Sequence, residues 1–151
     1  MNMRKYMTVI RAILLVTLSF CTTHIALAQE EVKWYYKEKE AFEAAEKQNK
    51  SILFIWGTDK CSDCIRAKKA LNNDPSLKKL INKNFILWYS DFSKYDDGED
   101  YSFRYNFTAP PLICVIDPKN PTSTSDYLAG NTFVNEIRAF LKKFESDNIT
   151  E

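Results

Sequence analysis

The chain has 151 residues, 45% hydrophobic and 14% aromatic, with 3 Gly and 5 Pro, and its 21 Lys and Arg against 20 Asp and Glu leave a formal charge of +1. That composition describes one compact domain and excludes a disordered tail, a collagen-like chain or a repeat array. Near-neutrality argues against nucleic-acid binding, which needs a basic surplus, and no apolar run reaches the roughly 20 residues of a bilayer span.

The first 28 residues read as a secretory signal peptide. Arg4, Lys5 and Arg11 form a basic start, Ala12 to Phe20 an apolar centre, and Ala26-Leu27-Ala28 a small-x-small cleavage site. A lipoprotein reading through Cys21 is disfavoured by bulky Phe20 before it. Removing residues 1–28 from the 151 leaves 123, room for a single domain at 29–151. Three basic residues leave with the leader, so 18 cations face 20 anions, a balance of −2. His24, the sole histidine, leaves too, which excludes Ser–His and Cys–His dyads and imidazole metal ligands. No stable membrane insertion is expected after cleavage. Cys61, Cys64 and Cys114 remain in what export implies is an oxidising, periplasmic or extracellular compartment, where an odd count leaves one thiol over.

In chain order, Trp34-Tyr35-Tyr36 is strand-like, and Glu38 to Asn49 is helix-favouring with Phe42 and Ala45 on one face. Ser51 to Gly57 (SILFIWG) is a continuous apolar run, as a central strand covered on both faces requires. Cys61 to Asn72 reads as a helix with Cys64, Ala67 and Leu71 on one side. Asp74-Pro75 ends it and starts another through Asn82. Asn84 to Asp91 is a second buried strand. A short helix from about Glu99 follows, then Ala109-Pro110-Pro111 and a third strand, Leu112 to Asp117. Asp126 to Gly130 is a short edge strand. Asn131 to Phe144 is a helix with an apolar stripe of Phe133, Ile137, Phe140, Leu141 and Phe144. The alternation predicts an α/β fold with a mixed central β-sheet flanked by helices.

The chemistry lies at Cys61-Ser62-Asp63-Cys64. A helix N-terminus presents unpaired N–H groups and about half a positive charge, which stabilises a thiolate at Cys61, the species that attacks disulfides. Cys64 follows one turn later, with its Cα roughly 5 Å away, within disulfide reach. Cys61 can attack and Cys64 can resolve. Lys60 favours the thiolate while Asp59 and Asp63 oppose it. A zinc site would need four ligands, and neither a second pair nor a histidine is present. A purely structural disulfide across so short a loop contributes little stability, and that reading stays open.

The strand SILFIWG, CSDC opening a helix, Pro111 directly before LICVID and the C-terminal amphipathic helix together resemble the thioredoxin superfamily, over most of residues 37–144. Residues 84–117 also look similar to UAS domains, a branch of that fold which binds partners and usually lacks the cysteines. The first resemblance implies an exported thiol–disulfide oxidoreductase with Cys61 and Cys64 as the catalytic pair, joined as a disulfide when oxidised. It also implies Pro111 as a cis-proline facing them, with Lys60, Ser62 and Asp63 on the substrate side. Substrates would be cysteine-containing exported proteins, and a redox partner protein would carry the electrons, with no metal or organic cofactor. The second implies a non-catalytic binding module with a structural disulfide.

Three departures from the thioredoxin pattern stand out. Ile55 occupies the place of a buried acid, so Asp59, Asp63 or water would take the proton of Cys64. Lys60 replaces an aromatic. Pro110 lacks the N–H that the residue before the cis-proline usually donates to substrate.

Elsewhere, Cys114 inside LICVID reads as a small buried hydrophobe, or as a link to another chain. Tyr101, Phe103, Tyr105 and Phe107 read as packing, or as a hydrophobic lip. Asp91, Asp96, Asp97, Glu99 and Asp100 fit no EF-hand spacing and read as a solvated acidic turn. Asn49, Asn106 and Asn148 begin N-x-Ser/Thr triplets, glycan acceptors only in a eukaryotic secretory pathway.

Overall fold

The computed structural model describes residues 31–94, 97–105, 107, 109–123, 126–130 and 132–145. The expected leader at 1–28 lies outside the described residues, as do Asp96, Asn106, Asn131 and Asn148. The elements run β1 (Trp34–Tyr35), α1 (Glu38–Gln48), β2 (Ser51–Gly57), α2 (Ser62–Asn73), α3 (Pro75–Asn84), β3 (Phe85–Asp91), the single turn α4 (Glu99–Ser102), β4 (Leu112–Ile116), β5 (Tyr127–Ala129) and α5 (Val134–Lys143).

The strands form one sheet in the order β1-β3-β2-β4-β5. β3 is parallel to both β1 and β2, and β4 runs antiparallel to β2 and β5, so the sheet is mixed, as the sequence predicts. β2 lies at its centre because its residues are apolar on both faces. Leu53 and Ile55 pack with Leu87, Tyr89, Ile113 and Val115 under Ala67 and Leu71 of α2, Leu77 and Ile81 of α3, and Ile137 and Leu141 of α5. Ile52 and Phe54 point the other way, against Trp88, Cys114, Tyr101, Tyr105 and the Ala41–Ala45 face of α1. Each fully buried Leu or Ile contributes about 1.5–3 kcal/mol by leaving water, so the strand order follows from where the two-faced runs fall.

The helix boundaries have local causes. Asn49 closes α1 at φ 50°, a left-handed conformation that Asn tolerates better than most residues. Asp74 ends α2 and caps α3, its Oδ1 accepting from the N–H groups of Ser76 at 3.0 Å and Leu77 at 2.9 Å, with Pro75 at the first helical position. Most boundaries shift by one to three residues from the sequence reading, and two of the shifts change a side chain's setting. Asn84 belongs to α3, where its side-chain amide donates to the Leu80 carbonyl, and β3 begins at Phe85. Phe133 is the N-cap of α5 and 54% exposed, outside the apolar stripe, with the Arg66 guanidinium over its ring.

Antiparallel pairing of β4 on β2 sets Leu112 opposite Trp56, so the start of β4 lies beside the end of β2. Pro110 and Pro111 therefore arrive at the end of the sheet from which the chain enters α2.

Candidate active site

From Gly57 the chain leaves β2 through Thr58-Asp59-Lys60, and the Cys61 N–H donates to the Thr58 carbonyl at 3.1 Å. Cys61 is the N-cap of α2, with extended backbone at φ −93° and ψ 121°. Its Sγ takes the place of a capping oxygen, accepting from the Cys64 N–H at 3.2 Å. A sulfur at Cys61 is thus held against one of the unpaired donors of the helix start, where negative charge is favoured.

The two thiols are inequivalent. Cys61 is partly exposed, whereas Cys64 is fully buried against the end of β2. Burial, and then the hydrogen bond with Cys61, pushes the Cys64 thiol up to about 12. Both are free thiols, the dithiol form of the expected disulfide. Opposite them the Pro110–Pro111 peptide is cis and Pro111 is buried. The Cys61 thiol donates to the Pro110 carbonyl at 3.8 Å, and the Gly130 N–H closes on the Pro111 carbonyl at 3.1 Å. The structure therefore brings Cys61, Cys64 and Pro111 together. Lys60 and Ser62 are exposed beside Cys61, and Asp63 is partly buried.

The acidic neighbours of the pair are all partnered. Asp63 forms an ion pair with Arg66. Asp59 pairs with Lys94 at 2.8 Å and Lys68 at 3.0 Å, and these hydrogen bonds, Lys94 first, hold its carboxyl below the usual range. The two anions set against a Cys61 thiolate are thereby offset by neighbouring cations, an outcome invisible without the tertiary contacts. Lys68 Nζ also lies 4.0 Å from the centroid of the Tyr89 ring, and the Tyr89 hydroxyl donates to Asp59 Oδ1 at 3.5 Å.

Asp91 corrects the sequence reading. It ends β3 opposite Gly57 at 6% exposure, so it is no part of a solvated turn. Burial alone would raise its carboxyl, but the Ser93 hydroxyl at 2.7 Å, the Ser93 N–H at 3.0 Å and Lys94 outweigh that and hold it well below the usual carboxylate range. Asp97 and Asp100 are exposed. Ile55, at the position the resemblance assigns to an acid, is fully buried in the core.

Of the four alternating aromatics, Tyr101 and Tyr105 are core, Phe107 packs on Trp56, and only Phe103 projects, at 77% exposure, so the segment is mainly packing. Cys114 is fully buried in β4, and burial pushes its thiol up to about 12. Among the described residues no group of three or more His, Cys, Asp or Glu is arranged to hold a metal ion. Sequence reading missed Tyr89, Lys68 and Lys94. Their meeting depends on strand register and helix facing, for which composition and spacing carry no signal.

A family profile described as thioredoxin-like matches residues 33–118. No curated protein matches the chain. Among solved structures, a thioredoxin from Thermus thermophilus superposes with a TM-score of 0.62 at 18% identity, covering 76% of this chain and 88% of that one. A disulphide isomerase from Xylella fastidiosa Temecula1 does so with 0.56 at 21%, covering 75% and 98%, and a protein titled DsbH Oxidoreductase with 0.58 at 18%, covering 78% and 89%. At these identities the likeness is one of fold. The chain belongs to the thioredoxin-like family, and its adjacent thiols at the start of α2 have the arrangement of a thiol–disulfide oxidoreductase.

Proposed function

We propose that this protein is an exported thiol–disulfide oxidoreductase that exchanges disulfides with cysteines of other extracytoplasmic proteins. The observation that carries the chemistry is the pairing of a partly exposed Cys61, its Sγ 3.2 Å from the Cys64 N–H, with a buried Cys64 behind it. The Cys61 thiolate attacks a substrate disulfide, Cys64 then attacks Cys61, and the substrate leaves reduced; the reverse sequence oxidises it. Pro111 and the exposed Lys60 and Ser62, with Asp63, form the substrate side of the site. A redox partner protein restores the starting state. Export rests on the basic start, apolar centre and Ala26-Leu27-Ala28 of the leader.

Cys64→Ser, expressed in cells that export the chain, should trap substrate proteins on Cys61 as mixed disulfides, recovered on non-reducing gels and lost with Cys61→Ser. The exported chain should begin at Gln29. Absence of trapped proteins, together with no activity in insulin reduction, would overturn the enzyme reading and leave a binding module. A very low reduction potential in a glutathione series would favour that module as well.

A further inference from the structure

Two consecutive prolines bring the chain to the start of β4, and neither has an N–H to offer a bound polypeptide. Their carbonyls are placed differently. That of Pro111 accepts the Gly130 N–H at 3.1 Å, and the next residue, Leu112, is already paired in the sheet with Trp56 and Ala129. The Pro110 carbonyl faces Cys61, whose thiol, 3.8 Å away, is its donor among the described residues. Pro110 and Cys61 are both partly exposed, so an incoming chain can reach them. Beside the attacking sulfur, residues 110 and 111 therefore present one available backbone acceptor and no donor.

That acceptor changes state with the cysteines. In the dithiol form the Cys61 hydrogen occupies it. Once Cys61 is in a disulfide, with Cys64 or with a substrate, its sulfur carries no hydrogen and the Pro110 carbonyl loses its donor. Water can take the place, but an N–H of a chain attached at Cys61 competes well because the attachment already holds it nearby. We propose that the Pro110 carbonyl is a redox-gated anchor for a backbone N–H of the substrate polypeptide, closed by the Cys61 thiol in the reduced protein and open in the oxidised one. The inference rests on the proposed exchange and gives that exchange a favoured direction, disulfide donation to polypeptide dithiols.

In that direction a substrate thiolate attacks the Cys61 sulfur of the protein disulfide, and the Cys64 sulfur leaves with the electron pair and takes a proton. The second substrate thiolate then attacks the first substrate sulfur, and the Cys61 sulfur leaves with the electron pair and takes a proton. The substrate dithiol loses two electrons, the protein disulfide gains them, and the two substrate protons end on the cysteines. The new Cys61 hydrogen returns to the Pro110 carbonyl and displaces the substrate N–H, so the product leaves from the closed form. In the opposite direction the reduced protein meets its substrate with the anchor occupied and ends with the anchor free, holding the product back. A neutral hydrogen bond of this kind changes affinity by about threefold to tenfold.

The test uses the full chain and a flexible peptide with a single cysteine, alongside versions N-methylated at the cysteine or at either neighbour. On the Cys64→Ser chain, each N-methyl peptide competes with the parent for Cys61 by thiol exchange, and mass spectrometry gives the ratio of the mixed disulfides. One N-methyl position should lose to the parent by about threefold to tenfold, and the others should stay within about twofold. A peptide with serine for its cysteine, titrated into the unaltered chain and followed by NMR, should bind the oxidised form about threefold to tenfold more tightly than the reduced form. The same N-methyl group should erase that difference. Equal binding to both forms, no binding to either, a preference for the reduced form, or a preference that every N-methyl peptide retains would overturn the gate. Each of these leaves the oxidoreductase reading intact, because trapping on Cys61 and insulin reduction test it separately. A Cys64→Ser chain that forms no mixed disulfide with any peptide would remove that reading and the gate with it.

Discussion

A β-carbon on residue 57 would stand 2.9 Å from the Sγ of Cys64 and 3.3 Å from its Cβ, so Gly57 is what lets α2 set its buried thiol against the end of β2. Real β-carbons do not approach so closely, so the buried thiol or the helix start would have to shift within a close-packed interior.

Gly57→Ala should therefore displace the first turn of α2 and cost about 1–3 kcal/mol, the usual penalty for overpacking a filled site. Urea unfolding measures it. Resolution by Cys64 should slow as well, since a shift of the helix start changes the approach of one sulfur to the other. A Gly57→Ala variant within about 0.5 kcal/mol of the unaltered chain would mean that the contact is relieved without strain.

The thiols should differ sharply in reactivity. Among the described cysteines Cys61 alone is open to solvent, while Cys64 and Cys114 are fully buried and held up at about 12. Iodoacetamide at neutral pH should alkylate Cys61 in the folded, reduced chain and reach Cys114 only after denaturation, as peptide mass spectrometry would record. Cys114→Ala should keep substrate trapping intact and cost about 1 kcal/mol, the loss of a small buried side chain. Rapid native labelling of Cys114 would contradict its place in the sheet.

Acid should destabilise the fold partly through Asp91. Its carboxyl titrates lower in the folded chain than the ordinary value of about 4, so the unfolded chain takes up the proton first as pH falls. The stabilisation is complete above that ordinary value and is lost progressively below it. Asp59 and Asp74 shift in the same direction, Asp59 through its lysines and Asp74 chiefly through Ser76 and the Leu77 N–H. Asp91→Asn should lower the urea midpoint at pH 7, and the gap from the unaltered chain should narrow toward pH 3. A gap independent of pH would show that the charge of Asp91 is not what stabilises.

Much of the fold was legible in the chain because apolar periodicity reports which faces are covered. The run SILFIWG announced a strand buried on both sides, Asp74-Pro75 marked a helix boundary, and LICVID after the two prolines marked the strand that closes the site. Phe133 misled because its spacing continues the stripe of α5, while the helix begins one residue later and leaves its ring outside. Asp91 misled for a different reason. It precedes a run of acids in the sequence, yet the ladder places it beside Gly57 inside the structure.

From the chain alone came the expectation of a reactive pair and of its order, attacking sulfur first and resolving sulfur one helical turn later, since that expectation depends only on local spacing and helix geometry. Tertiary structure alone decided what surrounds that pair: Pro110 under Cys61, lysines on Asp59, and Tyr89 in the position next to the missing acid. Hydrogen bonds and charge pairs join residues as far as 64 positions apart, 49 at the cysteines, and their partners are chosen by strand register and helix packing, neither of which short-range sequence pattern encodes.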